Sequence, residues 1–302
     1  MIEPTTVPAV RARKAPAGAD SDGGGGEPLV MVTAYDAPTA RIADNAGVDM
    51  ILVGDSVAMV VLGHDDTLQV TIDDMVHHTS AVARCRTRAL VVADLPWLSY
   101  HLSVPDTVRN AGRLMRSGAG AVKLEGGRKR VPMVSALVDA EIPVMGHVGL
   151  TPQSVHVTGG YGVQARNEEE ARTLVDDAVA LAGAGCFAVV VESVPDSVAR
   201  MVTEAVPVPT IGIGAGPGCD GQVLVVHDLL GLDGGTAPRF VRRYADLEAA
   251  AVAAVAEYAA DVRSRRFPSD DETYHLLEGG HRFDGARLSA SQADASADHG
   301  TG

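Results

Sequence analysis

Seven short apolar runs recur along this chain, each followed by a segment of helical length with polar and apolar positions mixed. In order they are LVMVTAYD, MILVGDS, ALVVADLP, AVKLEGG, PVMGHVGL, FAVVVESV and PTIGIGAG. Near-continuous apolar runs of this length suit strands buried on both faces, the condition of a parallel sheet. Helices are expected from Pro38, over 72–84, 105–116, 131–140 and 168–182, and again after the sixth run. An eighth strand is expected at 239–244, ahead of an Ala-rich helix at 246–262. Repeated units of this kind place the ligand site at the carboxyl ends of the strands.

Four of the runs end in a carboxylate: Asp55, Asp94, Glu125 and Glu192. An open doubly wound sheet concentrates its site at one switch point, whereas a closed barrel gathers residues from many strands at its C-terminal mouth. Acids spread over four strand ends favour the barrel. The expected fold class is α/β, a (β/α)8 TIM barrel forming one domain over residues 29–275. Residues 1–28, rich in Ala, Pro and Gly with a glycine run at 23–26, are expected to be a flexible tail, as are the small polar residues of 276–302.

Composition removes several classes of function. The formal net charge is −14 and aromatic residues are 4%, so the phosphate-neutralising and base-stacking groups of a nucleic-acid binder are lacking. No stretch approaches the apolar length that spans a bilayer, and 1–28 has no apolar core of a signal peptide. A cytoplasmic enzyme is the expectation, with no membrane partner. Cys85, Cys186 and Cys219 lack zinc spacing and are expected to be reduced thiols, Cys186 as a small core residue. IGIGAG at 211–216 lacks the early strand-turn-helix position and downstream acid of a dinucleotide fingerprint.

Carboxylates alone form a hard-oxygen donor set, which suits Mg2+ better than zinc or copper. Asp55, Asp94 and Glu125 are therefore candidate metal ligands, although any one of them could merely cap a following helix. Lys123 lies two residues before Glu125, so a strand's period of two puts both on one face. There the ammonium could fix a substrate carboxylate or an enolate, or simply pair with Glu125. Glu192 is the candidate base: a metal-chelated 2-oxo acid has an acidified neighbouring carbon and a stabilised enolate, and one free carboxylate is needed to take the proton. His147 closes PVMGH and could donate to the substrate or to Glu192, or be a satisfied structural histidine. His64, His77, His78 and His156 carry weaker claims.

The motifs TAYDAPTA, LVGDS, GHDDTL, VVADLP, VKLEGG, GHVGLTPQSV, GGY, IGIGAG, DGQVLVVHDLLGL and FPSDDETYH together resemble the ketopantoate hydroxymethyltransferase family, over about Val32 to His275. The resemblance implies a (β/α)8 barrel of pantothenate biosynthesis, commonly a homodecamer. It implies transfer of a one-carbon unit from 5,10-methylenetetrahydrofolate to 3-methyl-2-oxobutanoate, giving 2-dehydropantoate. It also implies magnesium at Asp55, Asp94 and Glu125, contacts to the oxo acid from Asp55, Ser56, Asp94 and Lys123, and a proton acceptor at Glu192. Four positions depart from the family pattern: Asp66, Gly162, Ala165 and Ser193 stand where serine or threonine, lysine or arginine, glycine, and cysteine are usual. Two other readings fit the same residues: a magnesium-dependent enzyme acting on another 2-oxo acid, and a silent barrel scaffold.

Overall fold

The computed structural model describes residues 3–14, 27–232, 234 and 237–275. Eight parallel strands close into a barrel in chain order: β1 (Leu29–Thr33), β2 (Met50–Val53), β3 (Leu90–Asp94), β4 (Ala121–Glu125), β5 (Val144–Gly149), β6 (Ala188–Glu192), β7 (Thr210–Ile213) and β8 (Gly221–Leu224), with β8 pairing back onto β1. The seven apolar runs of the sequence are β1 to β7. Burial on both faces explains their composition: β2, β3 and β4 are buried at every position.

The eighth strand differs from expectation. Residues 239–244 form a turn and irregular chain, whereas β8 lies at Gly221–Leu224. Arg239, Arg242 and Arg243 could not enter a strand flanked on both faces without burying charge. The actual β8 escaped notice because it is four residues long, opens on Gly and carries Gln222 outward.

Helices cover the outside of the strands, and their ends carry local signals. Ala37–Asn45 and Ile72–Ala83 each start with a reciprocal capping box, from Asp36 with Thr39 and from Thr71 with Asp74. Val104–Arg116 is capped by Ser103 and has Pro in its first turn. Residues buried under the helices merge with the outward faces of the strands in one apolar layer.

A second, smaller apolar cluster fills the barrel interior toward its N-terminal end. It includes Val10, from the short helix Val7–Arg11, which is fully buried beside Leu29, Met50, Leu90 and Phe187. Lys14 Nζ anchors this segment 3.0 Å from the carboxylate of Asp220, and Thr5 N–H donates to the Arg88 carbonyl. Residues 3–14 are thus an ordered plug rather than the flexible tail expected there: one valine reaches a cluster that no local periodicity reveals. The tail expectations for 1–2, 15–26 and 276–302 fall outside the described residues. Val10→Asp is expected to lower stability by about 2 kcal/mol, the burial of one valine, because releasing the plug avoids burying the charge. Thermal unfolding would read this as a lower midpoint with activity at 25 °C retained.

The chain divides into two compact units, with a boundary after Glu248. The barrel lies in the first. The described part of the second holds most of the helix Leu247–Arg263 and residues to His275; within it Arg266 pairs with Asp261 at 2.7 Å and the Tyr258 ring meets Phe267 edge-on.

Candidate active site

The strand ends open into a cavity of about 650 Å3 whose lining includes Asp55, Ser56, Asp94, Lys123, Glu125, His147 and Glu192. Strand register sets their order. β3 and β4 pair Asp94 with Lys123, β4 and β5 pair Glu125 with His147, and β5 and β6 pair Gly149 with Glu192. These seven residues, all named from the sequence, share this one mouth, and His64 also lines it, whereas His77, His78 and His156, which carried weaker claims, do not.

Their contacts form a continuous charged network. Lys123 Nζ lies 3.0 Å from Asp94 Oδ1, and Asp94 Oδ2 accepts the Asp55 N–H at 3.0 Å. His147 joins two glutamates, with Nδ1 3.4 Å from Glu125 Oε1 and Nε2 3.1 Å from Glu192 Oε2. Ser56 Oγ lies 2.8 Å from the Tyr35 hydroxyl. Asp55, Asp94, Lys123, Glu125 and His147 are all buried.

Burial and charge divide the three acids. Burial pushes Asp55 well above the ordinary carboxylate range, with the charges of Asp94 and Glu125 adding to it. Burial also raises Asp94, against the opposing charge of Lys123. Burial opposes ionisation of Glu125 as well, but a hydrogen bond and charge from His147, Lys123 and the Gln153 N–H outweigh it and hold Glu125 low. Burial pulls Lys123 down, yet Asp94, Glu125 and Asp55 together leave it raised and charged.

For His147, burial and Lys123 disfavour the imidazolium, but hydrogen bonds to Glu125 and Glu192 raise it to about 9. A raised value of this kind adds stability that is complete below the ordinary 6.5 and is lost as pH rises through about 9. In metal-free buffer, His147→Gln is therefore expected to flatten the fall in thermal midpoint between pH 6.5 and 9 relative to the parent protein. An identical slope in both proteins would contradict this assignment.

Sequence reasoning missed Gln153 and Tyr100. The Gln153 side chain donates to Asp55 Oδ2 at 2.8 Å and its backbone N–H donates to Glu125 Oε2 at 3.1 Å. The Tyr100 hydroxyl donates to Gln153 Oε1 at 2.6 Å and accepts the Glu125 N–H at 3.2 Å. Gln153 stands inside GHVGLTPQSV, so the motif signalled the segment without a role for this side chain.

Loop geometry accounts for other positions. Gly149 has φ of +95°, and a Cβ there would lie 2.2 Å from the Glu192 carbonyl oxygen, so β5 can end against the candidate base only as glycine. Of the departures noted in the sequence, Ala165 and Ser193 both adopt positive φ, at +53° and +47°. Ala165 is thus in the left-handed region where the family pattern has glycine. Asp66 accepts the Leu68 N–H at 2.8 Å, and Gly162 is exposed. Cys186 is buried, and burial pushes its thiol up to about 12, as befits an inert core residue. His78 Nδ1 is 2.7 Å from the Tyr35 carbonyl, a structural contact.

The donor set fits a hard cation in part. Among the described residues, no three His, Cys, Asp or Glu side chains gather closely enough to hold a metal ion by themselves. Glu125 has both oxygens engaged, by His147 and by Gln153. Asp55 and Asp94, in contrast, are buried acids linked through one N–H, and Asp94 Oδ1 faces the Lys123 ammonium at 3.0 Å. Magnesium needs no full protein cage, since it commonly takes one or two carboxylates with water and substrate oxygens.

Comparison with known proteins agrees with the motif pattern. The family described as ketopantoate hydroxymethyltransferase matches residues 20–270. The 3-methyl-2-oxobutanoate hydroxymethyltransferase of Moorella thermoacetica is 59% identical over 250 residues, spanning 82% of this chain and 93% of that protein. The enzyme of the same name from a Methylobacterium species is 58% identical over 253 residues, spanning 84% and 88%. Among solved structures, the phosphoenolpyruvate phosphomutase of Streptomyces platensis subsp. rosaceus superposes with a TM-score of 0.54 at 16% identity, over 89% of this chain and 93% of that one. At that identity the likeness is one of fold.

Proposed function

The chain belongs to the ketopantoate hydroxymethyltransferase family, and from that premise we propose that it moves a one-carbon unit from 5,10-methylenetetrahydrofolate to 3-methyl-2-oxobutanoate, giving 2-dehydropantoate. The observation that carries this reading is the single network running from the buried Asp55 and Asp94 through buried Lys123, Glu125 and His147 to the partly exposed Glu192.

Asp55 and Asp94, with Glu125 beside them, would hold Mg2+. When bound, the ion polarises the carboxylate and keto oxygens of the oxo acid and so acidifies C3. Lys123 presents a fixed positive charge toward the oxygen on which charge develops, in a site where water does not screen it. Glu192 takes the C3 proton. His147 holds the Glu192 carboxylate in one orientation through its Nε2 side while Glu125 anchors its Nδ1 side. Water cleaves the two methylene C–N bonds of the folate, its two protons going to the two nitrogens of the departing tetrahydrofolate and its oxygen staying on the one-carbon unit as formaldehyde. The C3 carbanion, delocalised as the enolate, bonds to that carbon, and the alkoxide formed takes back the proton held by Glu192 to give the hydroxymethyl group. Ser56, tied to Tyr35, and Asp55 line the substrate position.

Among the described residues, no helix is long and apolar enough to cross a membrane. A cytoplasmic homodecamer is the assembly we propose from the family likeness, and light scattering checks its mass. Product analysis tests the reaction: the protein, Mg2+, folate donor and a panel of 2-oxo acids should give a hydroxymethyl product, most rapidly from 3-methyl-2-oxobutanoate. Carbon transfer indifferent to the folate donor would overturn this reading in favour of another 2-oxo acid enzyme on the same barrel.

A further inference from the structure

We infer that Gln153 is the positioning residue that sets the spacing of Asp55 and Glu125 for the metal, an inference that rests on the magnesium reading above. Gln153 sits in the three-residue turn Pro152–Ser154 that follows β5, is 5% exposed, and touches groups contributed by three other strand ends. Its two side-chain protons are both used. Nε2 donates to Asp55 Oδ2, after β2, at 2.8 Å, and to the Leu95 carbonyl, after β3, at 3.0 Å. Its backbone N–H donates to Glu125 Oε2, at the end of β4, at 3.1 Å. One residue therefore grips two buried acids whose charges repel.

The orientation of the amide is determined by a fourth group. An amide offers acceptor and donor ends of nearly the same shape, so its direction follows from its partners. Tyr100 supplies that direction: its hydroxyl donates to Oε1 at 2.6 Å while accepting the Glu125 N–H at 3.2 Å. A flipped amide would set its oxygen against the Leu95 carbonyl, an acceptor with no proton to give, and lose the Nε2 donation there. Tyr100 is itself held, 1% exposed and with the Arg130 guanidinium 5.2 Å over its ring. Partners behind metal-binding carboxylates typically contribute 10- to 100-fold to metal affinity.

The test is binding of Mn2+, as a paramagnetic substitute for Mg2+, to the full chain without substrates, followed by electron paramagnetic resonance. Gln153→Met keeps the side-chain volume and the backbone N–H but removes the amide, and is expected to weaken binding by about 10- to 100-fold. Tyr100→Phe is expected to weaken it several-fold, and the double variant no further than Gln153→Met alone, because both act through one amide. Turnover of Gln153→Met should recover as Mg2+ is raised, which a packing defect would not do. Affinity within about twofold of the parent, with only a lowered thermal midpoint, would overturn the inference. Should Gln153→Met fail to fold, Tyr100→Phe decides: unchanged affinity overturns it. A parent protein that binds no Mn2+ would overturn the magnesium reading and this inference with it, whereas parent binding with an indifferent Gln153→Met would overturn this inference alone.

Discussion

Glu192→Gln is expected to lower turnover by roughly 10^3-fold, within the range for loss of a positioned acid-base group. The substitution keeps the shape of the side chain and its place at the end of β6. It also keeps an oxygen that can accept from His147 Nε2, now 3.1 Å from the carboxylate. What disappears is an oxygen basic enough to accept a carbon-bound proton. Binding of the metal should be nearly unchanged, because Asp55 and Asp94 are linked to each other and to Lys123 without contact through Glu192. Exchange of the C3 proton should fall as far as overall turnover, since both need the same step. Turnover close to that of the parent would show that the base lies elsewhere; a loss of exchange accompanied by an equal loss of metal affinity would show that Glu192 acts on the metal site instead.

Lys123→Met is expected to have two separate consequences. Turnover should fall about 10^2- to 10^3-fold, the usual result of removing one fixed donor from a site where negative charge develops. Stability should fall too, because Asp94 loses its ion pair at 3.0 Å while remaining buried beside Asp55. Breaking a buried pair from one side costs about 3–5 kcal/mol when the orphaned charge has no escape. Here protonation offers one. Burial already raises Asp94, and Lys123 is the main influence holding it down, so the variant should raise it further. A carboxyl group with a raised folded value favours the folded state below its unfolded value near 3.8, and that contribution is lost as pH rises through the folded value. The deficit of Lys123→Met relative to the parent should therefore be small in acid and grow toward neutral pH. Chemical denaturation at pH 4.5 and 7.5, in metal-free buffer, measures the difference; a pH-independent deficit would mean that the lysine acts by packing its stem.

The parts of this molecule that were legible in the sequence are those that follow from repetition. Apart from the exposed Val30 of β1 and the partly buried last residues of β5, β6 and β7, β1 to β7 are buried on both faces, so their apolar runs mark them directly, and the acids at the ends of β2, β3, β4 and β6 stand out against that background. Closing the strands into a ring then brings Asp55, Asp94, Glu125 and Glu192 to one mouth without any further information. Lys123 was legible by its period of two with Glu125, and His147 by its place closing PVMGH; the structure puts them on β4 and β5.

What escaped depends on contacts between segments that carry no period. β8 is too short and too polar at Gln222 to register as a buried run. Val10 is one valine in a five-residue helix, and only the open end of the barrel gives it a core to enter. Gln153 and Tyr100 lie on turns after β5 and β3, where neither neighbouring residues nor spacing distinguishes a polar side chain aimed inward from one aimed at solvent. Their role is visible only once Asp55 and Glu125 are known to lie on either side of them. The departures at Ala165 and Ser193 fall between these cases: a left-handed turn was legible at Ala165, while the positive φ at Ser193 was not.

The charges at this mouth serve to remove one proton from the carbon beside a keto group. Proton NMR of 3-methyl-2-oxobutanoate in heavy water, with protein and Mg2+ but no folate, reads that step alone. The expected result is loss of the C3 proton signal at a rate proportional to protein, abolished by chelator and by Glu192→Gln, and a new hydroxymethyl signal once 5,10-methylenetetrahydrofolate is added. A C3 signal that persists with folded, magnesium-loaded protein, before and after the folate is added, would contradict it.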